Sequence, residues 1–311
     1  MLCLQKILFT LVKSSGSYIR CKNQLIVRSA RKVTFRTMSK LYELIPRQIG
    51  CEVVGINLQT ENRPEVIEQI RKDVTSHRIL LFTGQGIIDG ARHVEISRWF
   101  GDLESTFYKH EKSPHPDVFR VSNDATEGCR GVGRTGWHID GSFQPAPFGY
   151  SLYHMVSVPS DGATQFLPLT EFIENLKTET FAKWNQLWMM SDRRSGPIHP
   201  LIYKHPLTKK LVMCLHLGMT ERFISNYGGS KEKLLSIEES EQILREIHDE
   251  ITVRNQKLIY RHEWQPGEFI ISDNLAVGHE AVPETQYSRD RVGLRVLHRT
   301  TIQGVHKPNK D

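Results

Sequence analysis

The sequence predicts an α+β protein with a mainly β core, a double-stranded β-helix or jelly roll, with flanking and inserted helices. Two observations favour this class. Strand-like runs concentrate in the middle and last third of the chain, whereas helical patterns lie early or are inserted between the strands. The regular strand–helix alternation of a parallel sheet is not sustained along the chain. Two packed sheets wrapped by helices fit this order best.

The first part of the predicted domain combines two helices with a buried strand. Pro64 begins a helical pattern whose apolar residues recur on one face. Residues 78–83 then form a mostly apolar run that ends at Gly84, which is typical of a strand buried on both faces. A second helical pattern covers residues 89–100.

The middle of the chain contains one strand and two further helices. Residues 150–158 are rich in Tyr, Val and Leu and are predicted to form a strand. Thr170 is expected to cap a helix that follows it. Ser236 and Glu239 have the spacing of a capping box, and the apolar residues that follow them recur at helical intervals as far as Ile251.

The last third of the chain indicates strands joined by turns. Apolar runs at residues 258–260, 269–271 and 292–302 are predicted strands. A Gln-Pro-Gly-Glu turn at residues 265–268 separates the first two. No low-complexity linker or internal repeat interrupts the chain, so residues 42–304 are predicted to form a single domain, with residues 305–311 as a tail.

Residues 1–41 have the composition of a mitochondrial targeting leader. They contain nine Lys and Arg residues, several serines and no acidic residue. The formal charge of the whole chain is +6, so the remaining residues carry about −3, which argues against nucleic-acid binding. A poorly ordered extension, with Met38 starting a cytoplasmic form, remains the alternative.

Composition also limits the partners of the folded part. Five scattered cysteines without a C-x-x-C motif predict neither a zinc site nor a disulfide framework. No stretch approaches the roughly 20 apolar residues of a membrane span. We therefore expect a small-molecule substrate, no nucleic acid and no membrane span, while self-association into a homo-oligomer stays open.

A candidate metal site begins at His138 and Asp140. Side chains alternate along a strand, so these two residues would point to one face and could chelate one ion. Among the other histidines, His279 has the best context, because it follows a predicted strand and a glycine. Two imidazoles and one carboxylate form the facial triad of non-haem Fe(II) oxygenases, whereas zinc more often takes a tetrahedral set richer in His or Cys.

Four motifs in this order resemble the taurine dioxygenase family of Fe(II)- and 2-oxoglutarate-dependent dioxygenases. They are W-H-I-D-G-S-F at residues 137–143, D-G-A-T-Q-F at 161–166, S-D-N-x4-H at 272–279 and R-V-L-H-R at 295–299. The resemblance runs from about residue 45 to residue 303. It implies a jelly-roll fold and an enzyme that hydroxylates a small, anionic organic substrate, a sulfonate or a carboxylate, with release of succinate and carbon dioxide.

The resemblance also implies roles for individual residues. His138, Asp140 and His279 are the expected Fe(II) ligands, and Thr164 and Arg295 the expected anchors of the cosubstrate 2-oxoglutarate. Dioxygen is the other cosubstrate. Arg299 matches the arginine that meets the anionic group of the primary substrate. Because Arg295 and Arg299 are four positions apart on a predicted strand, both are expected to face the same side.

One position departs from the sulfonate-oxidising members of the family. Those enzymes carry a histidine after F-G-x-L that helps to hold the sulfonate, whereas this chain has Glu104, Ser105 and Thr106 there. A carboxylate beside a sulfonate is unfavourable unless it points away or pairs with an amine. A betaine or amino-acid hydroxylase of the same mechanism, and a non-catalytic protein that binds metal or 2-oxoglutarate, are the alternatives.

Overall fold

The computed structural model describes residues 41–104, 108–192 and 196–310, which belong to one compact unit. The predicted leader lies outside these residues except for its last position. Across the described ranges, every helix falls short of the length and apolar character that a bilayer crossing requires.

The described residues form sixteen strands and six α-helices. The strands are β1 (Glu43–Pro46), β2 (Cys51–Val54), β3 (Ile79–Phe82), β4 (Phe119–Ser122), β5 (Tyr150–Ser157), β6 (Thr164–Pro168), β7 (Leu187–Ser191), β8 (Ile198–Pro200), β9 (Ile202–Lys204), β10 (Leu211–Met213), β11 (Thr220–Ser225), β12 (Lys233–Leu234), β13 (Tyr260–His262), β14 (Phe269–Asp273), β15 (Val277–Ala281) and β16 (Val296–Thr301). The α-helices are α1 (Pro64–His77), α2 (Gly90–Arg98), α3 (Leu169–Glu174), α4 (Thr178–Asn185), α5 (Ile237–Asp249) and α6 (Arg289–Val292).

Two sheets build the core. The large sheet has seven strands in the order β1-β2-β3-β14-β5-β16-β4, and all its neighbours are antiparallel except β2 and β3. The small sheet has the order β13-β6-β15. Strands β7 to β12 form two further sheets, β12-β11-β7-β8 and β10-β9, in the segment inserted between β6 and β13.

The inner faces of the large and small sheets share one apolar cluster. Tyr153, Ile270 and Leu297 of the large sheet belong to it together with Phe166 and Val277 of the small sheet. Because side chains alternate across each strand, this cluster takes every second residue. The predicted jelly-roll architecture is therefore confirmed, with the core between the two sheets.

Helices α1 and α2 cover the outer face of the large sheet. Val66 and Ile70 of α1 and Ile96 of α2 pack in one cluster with Leu80 and Phe82 of β3, which alternate with the inward-facing residues of the same strand. The flanking helices of the prediction are thus amphipathic covers of the sheet.

Several predicted elements are confirmed within one or two residues. Pro64 begins α1, and Asp89 caps α2 by accepting a hydrogen bond from the Arg92 amide. Both halves of the capping box at Ser236 and Glu239 are present. The strand predicted at residues 150–158 is β5.

Three predictions about local structure were wrong. Thr170 does not cap α3, which begins one residue earlier, and its hydroxyl instead donates to the Leu211 carbonyl. The strand predicted at residues 258–260 begins only at Tyr260, after a short 3-10 turn. The strand predicted at residues 292–302 begins at Val296, because α6 occupies the residues up to Val292.

Three of the five cysteines lie in the described residues. Cys51, Cys129 and Cys214 are free thiols. Cys51 and Cys214 are buried, and burial raises the pKa of both thiols.

Candidate active site

The segment around His138 is extended but is not the regular strand that alternation predicted. It forms only isolated bridges, and Asp140 already lies in a turn. The alternation itself nevertheless holds. Trp137 and Ile139 are fully buried in the apolar cluster of the inserted region, so His138 and Asp140 are free to project the other way.

The turn after Asp140 depends on a glycine. Gly141 has a φ of +74°, a conformation that L side chains rarely adopt. A Cβ atom built at Gly141 would lie 2.6 Å from the ring of Phe148. The glycine of the H-x-D-G motif therefore allows the chain to reverse immediately behind the carboxylate.

His279 lies within strand β15, not after a strand end. The His279 amide donates to the His138 carbonyl at 2.8 Å, and the His138 amide donates to the His279 carbonyl at 3.1 Å. This mutual backbone pair fixes the separation of the two histidines. Their ring centroids are 4.3 Å apart.

The three predicted metal ligands converge. One ligand atom from each of His138, Asp140 and His279 lies within 4.8 Å of the others, and all three residues are buried. His138 Nε2 is 3.9 Å from Asp140 Oδ1, and His279 Nε2 is 3.7 Å from Asp140 Oδ2. Two neutral imidazoles and a carboxylate at this spacing fit a divalent iron ion and leave coordination positions open.

The tautomer of His138 suits ligation. Its Nδ1 lies 2.7 Å from the Gly136 carbonyl, which can only accept a hydrogen bond, so Nδ1 carries the proton. The lone pair of Nε2 therefore faces Asp140 and His279. Such a backbone partner orients the imidazole and makes it a better ligand.

Two neighbours fix the position of Asp140. The Ser151 hydroxyl donates to Asp140 Oδ2 at 2.7 Å. Asn274 brackets the backbone, because its Oδ1 accepts from the Asp140 amide at 2.8 Å and its Nδ2 donates to the Asp140 carbonyl at 2.8 Å. The asparagine of the S-D-N motif thus holds the carboxylate segment against the end of β14.

Charges around the triad favour the protonation states that a metal requires. Burial lowers the pKa of His279 to about 3, so its imidazole is neutral at pH 7. Burial alone would raise the pKa of Asp140, but the neighbouring Arg299 and the two histidines outweigh it and hold the pKa well below its ordinary value. Asp140 is therefore an ionised carboxylate between two neutral imidazoles.

Arg299 lies directly at the triad. Its Nη1 donates to Asp140 Oδ1 at 2.9 Å, and its guanidinium stands 5.3 Å from the centre of the Phe119 ring. Its Nε is buried without a hydrogen-bond partner in the part of the chain that the structure describes. A buried donor left unpaired is costly, so an anionic group that reached this nitrogen would stabilise it.

A cavity of about 620 Å³ opens over the triad. His138, Asp140 and Arg299 contribute to its wall. Its apolar and aromatic wall includes Tyr108, Phe119, Phe143, Phe148 and Met219. This combination of an apolar wall with a few convergent polar groups is typical of small-molecule sites.

His216 is a cavity residue that the sequence analysis missed. It lines the cavity and stacks on His138 with ring centroids 4.7 Å apart. It belongs to no motif, and the sequence offers no signal that singles it out. Only its place beside His138 in the folded chain distinguishes it.

Thr164 and Arg295 are not among the residues that line the cavity. Thr164 begins β6 and pairs with Ala281, two residues after His279. Its hydroxyl accepts from Trp264 Nε1 at 3.0 Å, so its proton stays available to a ligand. Arg295 Nε donates to the Gly162 carbonyl at 3.3 Å.

The guanidinium of Arg295 is deeply buried without a carboxylate. The residue is 3% exposed and makes no ion pair with any described residue. Burial lowers its pKa to about 10, although it remains a cation at pH 7. An isolated buried cation of this kind is stabilised by an anionic ligand, and the distal carboxylate of 2-oxoglutarate would fit.

Arg295 and Arg299 were expected to face the same side because both were predicted to lie on one strand. That strand, β16, begins only after Arg295. Arg295 precedes β16, and the pairing with β5 is irregular between Val296 and Leu297. Asn123 holds Arg295 instead. Its Oδ1 accepts from the Arg295 amide at 2.9 Å, and its Nδ2 donates to the carbonyls of Tyr287 and Gly293.

Comparison with known proteins agrees with this geometry. The sequence profile of "Taurine catabolism dioxygenase TauD, TfdA family" matches residues 41–301. The chain is 25% identical over 288 residues to the α-ketoglutarate-dependent sulfonate dioxygenase of Saccharomyces cerevisiae, covering 83% of this chain and 66% of that protein. It is 24% identical over 294 residues to the α-ketoglutarate-dependent 2,4-dichlorophenoxyacetate dioxygenase of a Burkholderia species, covering 84% and 93%.

A solved structure gives the same result for the fold. The crystal structure of a putative α-ketoglutarate-dependent taurine dioxygenase from Burkholderia xenovorans superposes with a TM-score of 0.67 at 25% identity. The match covers 85% of this chain and 93% of that protein.

Proposed function

This chain belongs to the taurine catabolism dioxygenase family and is an Fe(II)- and 2-oxoglutarate-dependent dioxygenase, and we propose that its primary substrate is a small organic anion. One observation carries the proposal. Two members of the buried triad, His138 and Asp140, line a cavity together with Arg299, whose Nε has no partner among the described residues. A guanidinium offers a planar pair of donors that suits a sulfonate or a carboxylate.

His138, Asp140 and His279 would hold the iron. With Fe(II), 2-oxoglutarate and dioxygen bound, enzymes of this class release succinate and carbon dioxide and convert a substrate C–H bond to C–OH. The protein contributes position and electrostatics. The mutual backbone pair holds the two imidazoles, and Ser151 and Asn274 hold the carboxylate.

Thr164 and Arg295 would bind the distal carboxylate of 2-oxoglutarate. The unpaired cation of Arg295 and the free hydroxyl proton of Thr164 support this role. Arg299 would orient the primary substrate, because it lines the cavity and already contacts a metal ligand. An anion bound there would lie within reach of the iron, with its carbon chain against the aromatic wall.

The names of the relatives support an anionic substrate. One relative is named for sulfonates and another for 2,4-dichlorophenoxyacetate. A sulfonate and a carboxylate share a compact, delocalised negative charge. A cavity with one arginine at its metal end could accept either group.

The direct test is succinate release by the anaerobically iron-loaded protein with 2-oxoglutarate and oxygen. The panel should contain small sulfonates, carboxylates and trimethylammonium compounds. We expect stimulation by anionic compounds and none by compounds without an anionic group. Asp140→Ala should abolish the iron-dependent succinate, and a fully active variant would refute the triad.

We also propose that residues 1–41 direct the protein to mitochondria. Their Arg-rich, acid-free composition supports this. Microscopy of the full chain with a C-terminal fluorescent tag should show mitochondrial signal, and a version that starts at Met38 should be diffuse. Diffuse signal from both versions would refute the proposal.

A further inference from the structure

Glu104 is a carboxylate in the cavity wall that has no partner among the described residues. It lines the same cavity as His138, Asp140 and Arg299. Its backbone amide donates to the Thr301 carbonyl at 2.9 Å, which ties it to strand β16. Neither a hydrogen bond nor an ion pair engages the Glu104 carboxylate anywhere in residues 41–104, 108–192 or 196–310.

The position of Glu104 relative to Arg299 follows from the strand. Thr301 is two residues beyond Arg299 on β16, so both face the same side and their Cα atoms are roughly 7 Å apart. Thr301 also lines the cavity. The backbone of Glu104 is attached to Thr301. The cavity wall therefore presents the Arg299 cation at the metal end and the Glu104 carboxylate beside Thr301, and Asp117 and Arg130 are the other charged side chains that line it together with Asp140.

Aromatic rings also line this cavity. Tyr108 and Phe119 line it and stack on each other, with centroids 5.2 Å apart and planes inclined by 14°. The Arg299 guanidinium already lies 5.3 Å from the centre of the Phe119 ring. Aromatic faces stabilise cations, and a second cation in this cavity would meet favourable ring quadrupoles as well as the Glu104 charge.

A purely anionic substrate does not account for Glu104. An unpaired carboxylate in a half-closed, apolar cavity would repel a second anion and would stay poorly solvated when the cavity is filled. A positive charge on the substrate near Glu104 would replace the repulsion between two anions by attraction and would compensate the poor solvation of the carboxylate. The charged groups of such a dipolar ion would match the wall at two points, which also fixes its orientation.

We propose that Glu104 selects a positively charged nitrogen on the substrate, so that the enzyme acts on small dipolar ions with an anionic group at Arg299 and an ammonium group at Glu104. This inference rests on the proposed function, because it assumes that the cavity over the triad receives the primary substrate. It assigns to Glu104 the recognition of the end of the substrate remote from Arg299.

The test uses matched pairs of short aliphatic sulfonates and carboxylates. One member of each pair has a terminal ammonium group, and the other has a methyl group in its place. Dissociation constants are measured by calorimetry under argon, with the protein loaded with metal and 2-oxoglutarate. Wild-type protein should bind the ammonium member more tightly. Glu104→Gln should weaken that binding about 10- to 100-fold and leave the methyl member unchanged or tighter.

Glu241→Gln is the matched control. Glu241 is 59% exposed on α5 and pairs with Arg245, so the variant removes the same charge away from the cavity. It should behave as the wild type. Equal weakening of both members by Glu104→Gln, or a wild-type preference for the methyl member, would overturn the assignment.

The proposed function has a separate readout. Succinate release in the presence of oxygen reports catalysis, whereas the ratio of dissociation constants reports the role of Glu104. A Glu104-dependent preference without any succinate would leave the recognition intact and contradict the dioxygenase. Succinate release with equal affinity for both members would contradict only the role of Glu104.

Discussion

Arg299 and Arg295 differ in what they already contact. Arg299 pairs with the Asp140 carboxylate and lines the cavity, whereas the buried side chain of Arg295 bonds, within the described part of the chain, to one backbone carbonyl. In the proposed function, Arg299 binds the primary substrate and Arg295 binds the cosubstrate. Substitution should separate the two functions.

Arg295→Ala should raise the 2-oxoglutarate concentration needed for half-maximal rate by about 10- to 100-fold, because a charge-assisted pair is lost. Arg299→Ala should instead raise the KM of the primary substrate and spare the slow, uncoupled decarboxylation of 2-oxoglutarate. Steady-state succinate assays with each component varied separately would measure both effects. An unchanged 2-oxoglutarate requirement in Arg295→Ala would place the anchor elsewhere.

Ser151 should influence the metal through Asp140. Ser151→Ala removes the hydroxyl that donates to Asp140 Oδ2, and loss of such an outer partner typically lowers metal affinity by about 10- to 100-fold. Anaerobic titration with Fe(II) would measure the change. Ser76→Ala on the exposed side of α1 is the control and should bind iron as the wild type does.

At the scale of elements, the connection from β15 to β16 links the metal to the cosubstrate anchor. It leaves the metal ligand His279, passes through a 3-10 turn and α6, and returns at Arg295. Asn123 at the end of β4 makes three hydrogen bonds to this connection. The placement of Arg295 therefore depends on a side chain from another strand.

Asn123→Ala should loosen Arg295 without removing its charge. We expect weaker 2-oxoglutarate binding, by about tenfold for the loss of an orienting contact, and an unchanged KM for the primary substrate. Calorimetry with 2-oxoglutarate on the metal-loaded protein would measure the effect. Equal loss of affinity for both ligands would indicate general unfolding of the region.

The starts of helices were predicted correctly where they depend on residues within one helical turn. The capping box at Ser236 and Glu239, and the proline that begins α1, act within one turn of helix, so the sequence alone was sufficient. Thr170 has the right residue type for a cap, but its hydroxyl is used by the Leu211 carbonyl, a partner 41 residues away. Distant contacts of this kind are not encoded in a short window.

The candidate site was predictable where a motif keeps its residues together. His138 and Asp140 follow from alternation, even though their segment is not a regular strand. His279 needed the resemblance to a family, since 13 histidines besides His138 compete for the third position. His216 and Asn123 were missed because their roles arise from packing between strands that are remote in sequence.

For the whole molecule, burial of neutral histidines should make stability depend on pH. Burial lowers the pKa of His279 and His298 to about 3 and that of His93 well below its ordinary value. The unfolded chain binds protons to these groups near pH 6.5, whereas the folded chain does not. The stability they contribute is therefore present above about pH 6.5 and is lost progressively as the pH falls toward 3.

Urea unfolding of the metal-free protein should show this loss. Each such histidine lowers the free energy of unfolding by about 2 kcal/mol at pH 5 relative to pH 7.5. His298→Gln should reduce the pH dependence, whereas His248→Gln, on the exposed surface of α5, should not. A free energy of unfolding that is the same at both pH values would contradict the burial of neutral imidazoles.

The mutual backbone pair between His138 and His279 joins two segments that are far apart along the chain and are positioned by different parts of the fold. A partly folded chain that lacks either segment cannot present the triad. Fe(II) should therefore associate almost only with the native population and shift the folding equilibrium by mass action. Cellular iron supply would then govern the lifetime of the protein against proteolysis as well as its turnover.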